Sequence, residues 1–241
     1  MKINSIKSPN HSKKKRSKKK IEFIIIHYTG MQSERASIKR LVSSKSKVST
    51  HYLINRDGEV VKMVDENRVA WHAGKSKWKH FNKLNSTSIG IELVNKGHEF
   101  GYQSFPKAQI QKLVLLLKTL VKKYKIKNTN ILGHSDIAPL RKIDPGEKFP
   151  WNYLIKNKIV FKYSVNKNID LMINNKKNYR SIFFKNLYKI GYRYFNQKKS
   201  SKYDSKIIKA FQRRYRQNKI DGLIDRECIN ISYNVANSMK N

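Results

Sequence analysis

Apolar residues follow two patterns along this chain: short β-rich runs, and longer stretches with a period near that of a helix. A near-continuous run of β-branched residues at 21–27 predicts a strand buried on both faces. Runs at 88–95 and 130–132 predict two more strands. Two further runs within 51–64 flank Asp57-Gly58, and an Asp-Gly pair in this setting predicts a β-hairpin.

Amphipathic spacing predicts helices between and after these strands. The clearest case is 106–124, where Pro106 opens the helix and apolar residues at three-and-four spacing form one core-facing stripe. A shorter helix over 33–42 begins with a capping serine. Additional helices are predicted from Pro150, over 205–217 and from about 226 to 238.

Changes in composition divide the chain into four segments. Residues 1–20 contain nine Lys or Arg, no acidic residue and no apolar signal-peptide core, which predicts a disordered, solvated tail. A basic arm that touches an anionic surface is the alternative. Residues 21–157 hold the strands and form the main domain, and 158–176, without a strong period, are expected to be a linker. Residues 177–241 predict a small helical module, docked on or tethered to the main domain.

The formal net charge is +37, from 53 basic and 16 acidic residues among 241. This balance favours anionic partners, although Lys, Asn and Ile are frequent throughout, so whole-chain compositional bias explains the charge as well. The lysines are scattered and no nucleic-acid motif is present, so we expect no specific nucleic-acid partner. Cys228 is the single cysteine, which excludes an internal disulfide. No apolar run approaches the ~18 residues of a membrane span, so no transmembrane segment is predicted.

Residues 131–146 combine groups that bind metals or stabilise charge. His134 follows an apolar run, and Asp144 precedes a proline, which favours an extended backbone at the aspartate. In an extended segment Lys142 and Asp144 share a face, so a cation lies beside a carboxylate. His134 and Asp144 are good zinc ligands, and His27, at the end of the first strand, is a candidate third ligand.

Two histidines and one carboxylate leave a fourth position for water, as in catalytic zinc sites. Glu92, an acid within an apolar strand, is a candidate general base for that water. Lys142 is a candidate to stabilise the oxyanion that forms on an attacked amide. Spacing alone leaves other histidines open as ligands, namely His51, His72, His80 and His98.

Four motifs, in order along the chain, resemble the N-acetylmuramoyl-L-alanine amidases of the zinc type-2 amidase family. They are H-Y-T at 27–29, W-H-A-G at 71–74, S-I-G-I-E-L-V-N at 88–95 and G-H-S-D-I-A-P-x-R-K-x-D-P-G at 133–146. The resemblance covers residues 21–157 and implies an α/β fold with a mixed central β-sheet flanked by helices, in agreement with the pattern above. It also implies hydrolysis of the amide between N-acetylmuramic acid and L-alanine in peptidoglycan or (anhydro-)muropeptides.

By position, this resemblance also implies roles for individual residues. His27, His134 and Asp144 are expected to bind one zinc ion (Zn2+). Glu92 is expected to act as the general base, and Lys142 to stabilise the transition state.

The resemblance extends to the substrate groove and to the C-terminal segment. Trp71, His72 and Asn95 are expected to bind substrate, with a loop-packing role as the alternative for His72. The segment IIKAFQRRYRQNKIDGLIDRE at 207–227 is similar to the core of a peptidoglycan-binding domain, a three-helix module. We therefore expect 177–241 to bind the cell wall, with closure of the catalytic groove as the alternative.

Two other functions fit parts of the sequence. A non-catalytic peptidoglycan-recognition protein would share the fold, but it has no need for three ligands together with Glu92 and Lys142. Nucleic-acid binding is suggested by the charge alone. The prediction is therefore a monomeric zinc amidase that acts on peptidoglycan or muropeptides. The wall-binding segment favours the cell envelope or periplasm, and the lack of a visible signal peptide leaves the cytoplasm as the alternative.

Overall fold

The chain folds around one mixed β-sheet with helices on its faces, which confirms the predicted α/β fold. The structure, a computed structural model, describes residues 2–163 and 178–239. The strands are β1 (Asn4–Ser5), β2 (Phe23–Tyr28), β3 (Tyr52–Ile54), β4 (Val60–Lys62), β5 (Lys77–Trp78), β6 (Phe81–Asn82), β7 (Ser88–Leu93) and β8 (Ile131–Gly133). The helices are α1 (Glu34–Val42), α2 (Lys107–Tyr124), α3 (His134–Ile137), α4 (Trp151–Lys156), α5 (Tyr179–Ile190), α6 (Asp204–Tyr215) and α7 (Arg226–Ser238).

Strand order in the main sheet is β1-β4-β3-β7-β2-β8, and β5 pairs with β6 in a separate ribbon. β3 and β4 form the predicted hairpin, whereas β7, β2 and β8 are parallel neighbours. Register places His27 beside Glu92 and aligns the residue before His27 with Gly133, the residue before His134. The carboxyl ends of three parallel strands thus bring these three side chains to one edge of the sheet.

This part of the sheet is buried on both faces. The three isoleucines of β2 are fully buried, as expected for a strand covered on both faces. α2 packs its apolar stripe onto the sheet, and Leu113, Leu117 and Leu120 lie in the same hydrophobic cluster as β2. In the described part of the chain, no helix combines the length and apolar character needed to cross a bilayer.

The N-terminal segment differs from the predicted disordered tail. β1 extends the sheet by pairing in parallel with β4. Asn10 is buried and donates its amide to the Ser43 carbonyl, and Arg16 is buried with its Nε 2.9 Å from the Glu66 carbonyl oxygen. The basic composition indicated a solvated tail, but these backbone carbonyls accept hydrogen bonds from the buried donors. Specific hydrogen bonds therefore order the segment despite its charge.

The C-terminal helices share one hydrophobic core with the sheet domain, so the module is docked. The rings of Trp78 and Tyr192 meet at a centroid distance of 5.0 Å. Gly191 makes this approach possible, since a Cβ there would lie 2.4 Å from the Trp78 ring and its φ is +138°. The first part of the segment predicted to be a linker is packed instead, because Ile159, Val160 and Phe161 are buried in this core. The rest of that segment, 164–176, lies outside the described residues.

Asp136 is the electrostatic centre of this docking. It is fully buried, and its Oδ2 accepts hydrogen bonds from the Gly133 amide at 2.7 Å and from Arg214 at 2.6 Å. Its Oδ1 accepts from the Tyr192 hydroxyl at 2.5 Å. Arg214 also donates to the Ile131 carbonyl at 2.9 Å. The C-terminal helices are thereby joined to the turn that carries His134, two residues from Asp136.

Replacing Arg214 with alanine should destabilise the whole protein, because Asp136 would remain buried without its cation. Removal of one partner of a buried pair typically costs about 3–5 kcal/mol. Urea unfolding measures the change, and exposed Arg35→Ala on α1 is the control, with an expected effect within about 0.5 kcal/mol. A loss below about 1 kcal/mol for Arg214→Ala would contradict the assigned role of the pair.

Candidate metal centre and active site

Two imidazoles and one carboxylate converge at the carboxyl edge of the parallel strands. Nδ1 of His27 lies 2.9 Å from Nδ1 of His134 and 3.0 Å from Oδ2 of Asp144. The third side of the triangle, from His134 Nδ1 to Asp144 Oδ2, is 3.1 Å. All three side chains are buried, and they form the one group of possible metal ligands found among the described residues.

Backbone structure explains how a loop brings Asp144 to the two histidines. His27 is the last residue but one of β2, and His134 starts α3 directly after β8. The Asp144 carbonyl accepts the Ser135 amide at 2.9 Å, which fastens the loop 138–146 onto the start of α3. This bond fixes the position of the carboxylate beside the ring of His134.

The donor set fits a divalent metal of the zinc type. The Nε2 of His134 lies 3.2 Å from the Ala73 carbonyl oxygen and 3.3 Å from Nη2 of Arg141. A hydrogen on Nε2, donated to that carbonyl, leaves a lone pair on Nδ1. This lone pair faces an ionised carboxylate and a second imidazole nitrogen. Tetrahedral zinc with ligand bonds of roughly 2.0–2.1 Å requires ligand atoms about 3.3 Å apart, close to the separations observed. Two nitrogens and one oxygen also leave one tetrahedral position for water or substrate.

Electrostatics favour the protonation states that a metal requires. The pKa of His27 is lowered to about 4, mainly by burial and then by the neighbouring His134, so its ring is neutral. Burial by itself would raise the pKa of Asp144. The two adjacent histidines outweigh this effect and hold the pKa of Asp144 well below its usual range. The site therefore offers neutral imidazole and ionised carboxylate, the forms that bind zinc.

The carboxyl group of Glu92 differs from that of Asp144 in its hydrogen-bond partners and in the direction of its pKa shift. Its Oε2 is buried and lacks a hydrogen-bond partner within the described residues. Its pKa is raised to about 8, mainly by burial and then by the charge of Asp144, while Lys142 acts in the opposite direction. A carboxyl group with a pKa near neutrality is suited to both accepting and donating a proton.

A cavity of about 570 Å³ connects these groups. The ligands lie at its base, and Glu92 and Lys142 both face it. Tyr28 and His98 line another side, joined by a hydrogen bond of 2.9 Å. The cavity lining includes the basic side chains of Arg40, Arg141 and Lys142. Such a lining suits a substrate that carries carboxylates.

The three predicted substrate-binding residues have different surroundings in the structure. Trp71 lines the cavity, so its role as a substrate contact stays a prediction. His72 also borders the cavity, but both of its ring nitrogens have protein partners, His27 and Ser88. Asn95 does not line the cavity. Its side chain bonds to the backbone of Gly97 and Gln103 and holds that loop, and its predicted substrate contact stays a prediction.

Sequence reasoning missed the groups that support the ligands from behind. The carbonyl of Ala73 orients His134, and Arg141 donates to the same oxygen. Asp136, two residues from His134, is not one of the three converging ligands and has the docking role described above. Arg141 and Ala73 both lie within the family-like motifs, so the motifs could have pointed to these two residues. The carbonyl of Ala73 has no sequence signal of its own, since every residue carries one.

Comparison with known proteins places this geometry in a family. A sequence model described as N-acetylmuramoyl-L-alanine amidase (Amidase_2) matches residues 17–147. The chain belongs to this amidase family. The match includes His27, Glu92, His134, Lys142 and Asp144, that is, every group that meets at the base of the cavity.

Family relatives resemble the chain beyond this region. N-acetylmuramoyl-L-alanine amidase AmiD of Escherichia coli, strain K12, is 40% identical over 152 residues, covering 58% of this chain and 54% of that protein. The sequence match thus spans about half of that relative's length. A solved complex of E. coli AmiD with anhydro-N-acetylmuramic acid-L-Ala-D-γ-Glu-L-Lys superposes with a TM-score of 0.79 at 29% identity, covering 94% of this chain and 91% of that one. AmpDh3 from Pseudomonas aeruginosa gives a TM-score of 0.82 at 28% identity, with 98% and 99% coverage.

The raised pKa of Glu92 predicts a specific pH dependence in the metal-free protein. The folded wild type holds a proton on Glu92 up to about pH 8, whereas the unfolded chain releases it near its ordinary value of 4.5. Wild-type stability should therefore fall relative to Glu92→Gln as pH rises between these values, by at most about 1.4 kcal/mol per pH unit. Below and above this window the difference should be constant.

Urea unfolding at several pH values in the presence of EDTA measures this difference. Glu99→Gln, at an exposed position on the cavity rim, controls for the change of charge. Parallel stability curves for wild type and Glu92→Gln between pH 5 and 8 would show that the Glu92 carboxyl is not perturbed.

Proposed function

We propose that this protein hydrolyses the amide bond between N-acetylmuramic acid and L-alanine in peptidoglycan or (anhydro-)muropeptides, with one zinc ion held by His27, His134 and Asp144. The observation that carries this proposal is the convergence of three ligand atoms beside Glu92, which lines the same cavity and whose Oε2 is buried without a hydrogen-bond partner among the described residues. The solved complex of E. coli AmiD with an anhydro-muropeptide supports the choice of substrate class.

The chain's own residues account for the proton movements of such a hydrolysis. When bound, zinc supplies Lewis-acid polarisation and lowers the pKa of a water molecule to roughly 7. Glu92 takes a proton from the attacking water as the new carbon–oxygen bond forms at the lactyl carbonyl. It then returns that proton to the alanine nitrogen as the carbon–nitrogen bond breaks. The first products are a lactyl carboxylic acid and a stem peptide with a neutral free amine. Transfer of the acid's proton to that amine gives the carboxylate and ammonium forms, so atoms and charge balance.

Lys142 acts on the charge that develops during this reaction. Its side chain lines the cavity together with Glu92 and Asp144. An ammonium group so placed stabilises the negative oxygen that forms on the attacked carbonyl. Lys142 also lies close enough to lower the pKa of Glu92 against the effect of burial, which keeps the carboxyl in a useful range.

Variants should separate metal binding from turnover. His27→Ala and Asp144→Ala should lose both zinc and activity, because each removes a ligand. Glu92→Gln and Lys142→Ala should keep zinc but lose about 10²–10⁴-fold in kcat, the range for general bases and oxyanion partners. The measurements are zinc content after dialysis and release of stem peptide from purified muropeptides by mass spectrometry. Exposed His80→Ala is the control and should behave as wild type.

The alternative of a non-catalytic recognition protein makes a different prediction for the same assay. Zinc-loaded wild type would then bind muropeptides without releasing stem peptide under any metal condition. Loss of zinc in Glu92→Gln would also oppose the assignment, since it would make Glu92 a ligand.

We also propose that the C-terminal helices bind the cell wall. The residues that resemble a peptidoglycan-binding motif are themselves structural here, since Gln212 bonds to Asp221 at 2.9 Å and to the Gly222 amide at 2.9 Å. Binding must therefore use neighbouring exposed side chains. Leu223, 66% exposed, and Tyr203, 42% exposed, flank this turn and are the candidates.

Cosedimentation with purified peptidoglycan tests wall binding in a Glu92→Gln background, which prevents digestion. Leu223→Asp with Tyr203→Ala should reduce the bound fraction several-fold. Leu115→Asp, on the exposed side of α2, is the matched control and should leave binding unchanged. Equal binding of all variants would remove the wall-binding role from this surface. Wall binding would in turn place the protein at the cell envelope, which cell fractionation tests.

A further inference from the structure

Four buried histidine rings stand in a row that begins at the candidate metal centre. His134 contacts His27 at a ring-centroid distance of 4.4 Å, His27 contacts His72 at 5.1 Å, and His72 contacts His51 at 5.6 Å. All four are buried. The two outer rings bind no metal in the scheme above, so their position next to a ligand requires its own explanation.

A chain of hydrogen bonds runs from His27 to a backbone carbonyl. His27 Nε2 lies 3.0 Å from His72 Nδ1, and His72 Nε2 lies 3.2 Å from Ser88 Oγ. The Ser88 hydroxyl reaches the Leu84 carbonyl oxygen at 2.5 Å. Each member of the chain therefore has one neighbour on either side.

The last member fixes the direction of every bond in this chain. The Leu84 carbonyl can only accept, so the Ser88 hydroxyl donates to it and offers its lone pairs to His72. His72 must then carry its hydrogen on Nε2, which leaves Nδ1 as an acceptor. Consequently His27 carries its hydrogen on Nε2, and its Nδ1 presents a lone pair towards His134 and Asp144.

We propose that His72 is a positioning residue, which sets the tautomer and ring orientation of the ligand His27 through a relay anchored by Ser88 and the Leu84 carbonyl. The inference rests on the proposed metal site and adds a role that the ligands themselves do not have. Partners behind a metal-binding histidine commonly fix its tautomer and raise its basicity. It also replaces the predicted substrate contact of His72, since neither ring nitrogen is left for a ligand.

Strand β7 is built to hold this relay. Ser88, Gly90 and Glu92 lie on one face of the strand because side chains alternate. Ser88 anchors His72, and Glu92 reaches the cavity. Gly90 leaves room for the His72 ring, since a Cβ at that position would lie 2.4 Å from its Cγ. One strand face therefore supplies the anchor, the space and the proposed general base.

His51 closes the far end of the row. Its Nδ1 accepts the Gly90 amide at 3.0 Å, and its Nε2 donates to the Arg68 carbonyl at 3.2 Å. His51 is thus fixed to the same strand that anchors His72. The ordered N-terminal segment covers it, with Arg16 Nη2 3.0 Å from Nε2.

Zinc affinity tests the relay in the full-length protein. His72→Leu should raise the Kd for zinc about 10–100-fold, the usual effect of losing a partner behind a ligand. His72→Asn places an acceptor oxygen near the former Nδ1 and should restore most of the affinity. Ser88→Ala frees His72 to change tautomer and should also raise the Kd. Competition with a chromophoric chelator measures these values, and His80→Leu, at an exposed position, is the matched control.

Nitrogen NMR of zinc-loaded wild type gives a second readout that needs no variant. His27 should coordinate through Nδ1 and carry its hydrogen on Nε2, and coordination through Nε2 would overturn the relay. If wild type binds no zinc, the proposed function itself fails. If wild type binds zinc and the folded His72 and Ser88 variants have the same Kd, the relay fails while the proposed function stands. Circular dichroism establishes which variants are folded, and a purely structural His72 would change thermal stability without changing the Kd.

Discussion

Two imidazole nitrogens and a carboxylate oxygen are held within 2.9–3.1 Å of one another in a buried site. All three atoms are electron-rich, so their approach is unfavourable unless a cation lies between them or the surrounding protein enforces it. Several parts of the structure hold these three atoms together. Parallel strands deliver His27 and His134 to one edge, and the Ser135 amide binds the loop that delivers Asp144.

The same site keeps two carboxyl groups in opposite states. Asp144 lies against two imidazoles, which keep its pKa low, whereas the buried Glu92 has no such partner and its pKa rises to about 8. Divergent pKa values in neighbouring carboxyl groups are characteristic of enzymes that need a permanent charge beside a movable proton. The difference arises from hydrogen-bonding partners: register places Glu92 beside His27, but no described group bonds to its buried Oε2, whereas both histidines contact Asp144.

Support for the site comes from both ends of the chain. The N-terminal segment reaches His51 through Arg16, and the C-terminal helices reach the turn at Asp136 through Arg214. Each contact buries a guanidinium whose hydrogen bonds are satisfied by carbonyl or carboxylate oxygens. The sheet domain and the helical module therefore form one structural unit with a shared hydrophobic core, the docked one of the two arrangements that the sequence left open.

Local pattern was sufficient for most of the long elements, and the motifs were sufficient to select the residues that converge at the cavity. Periodicity predicted β2, the β3–β4 hairpin, α2, α6 and α7, because burial of one face leaves a repeating trace in the sequence. Family-like motifs pointed to the ligands and to Glu92. Only the tertiary structure decided that residues 2–20 are ordered, that His72 supports His27 and that Asp136 pairs with Arg214. Those outcomes depend on partners 33 to 78 positions apart, and a hydrogen bond or buried ion pair between distant residues leaves no periodic signal in the chain.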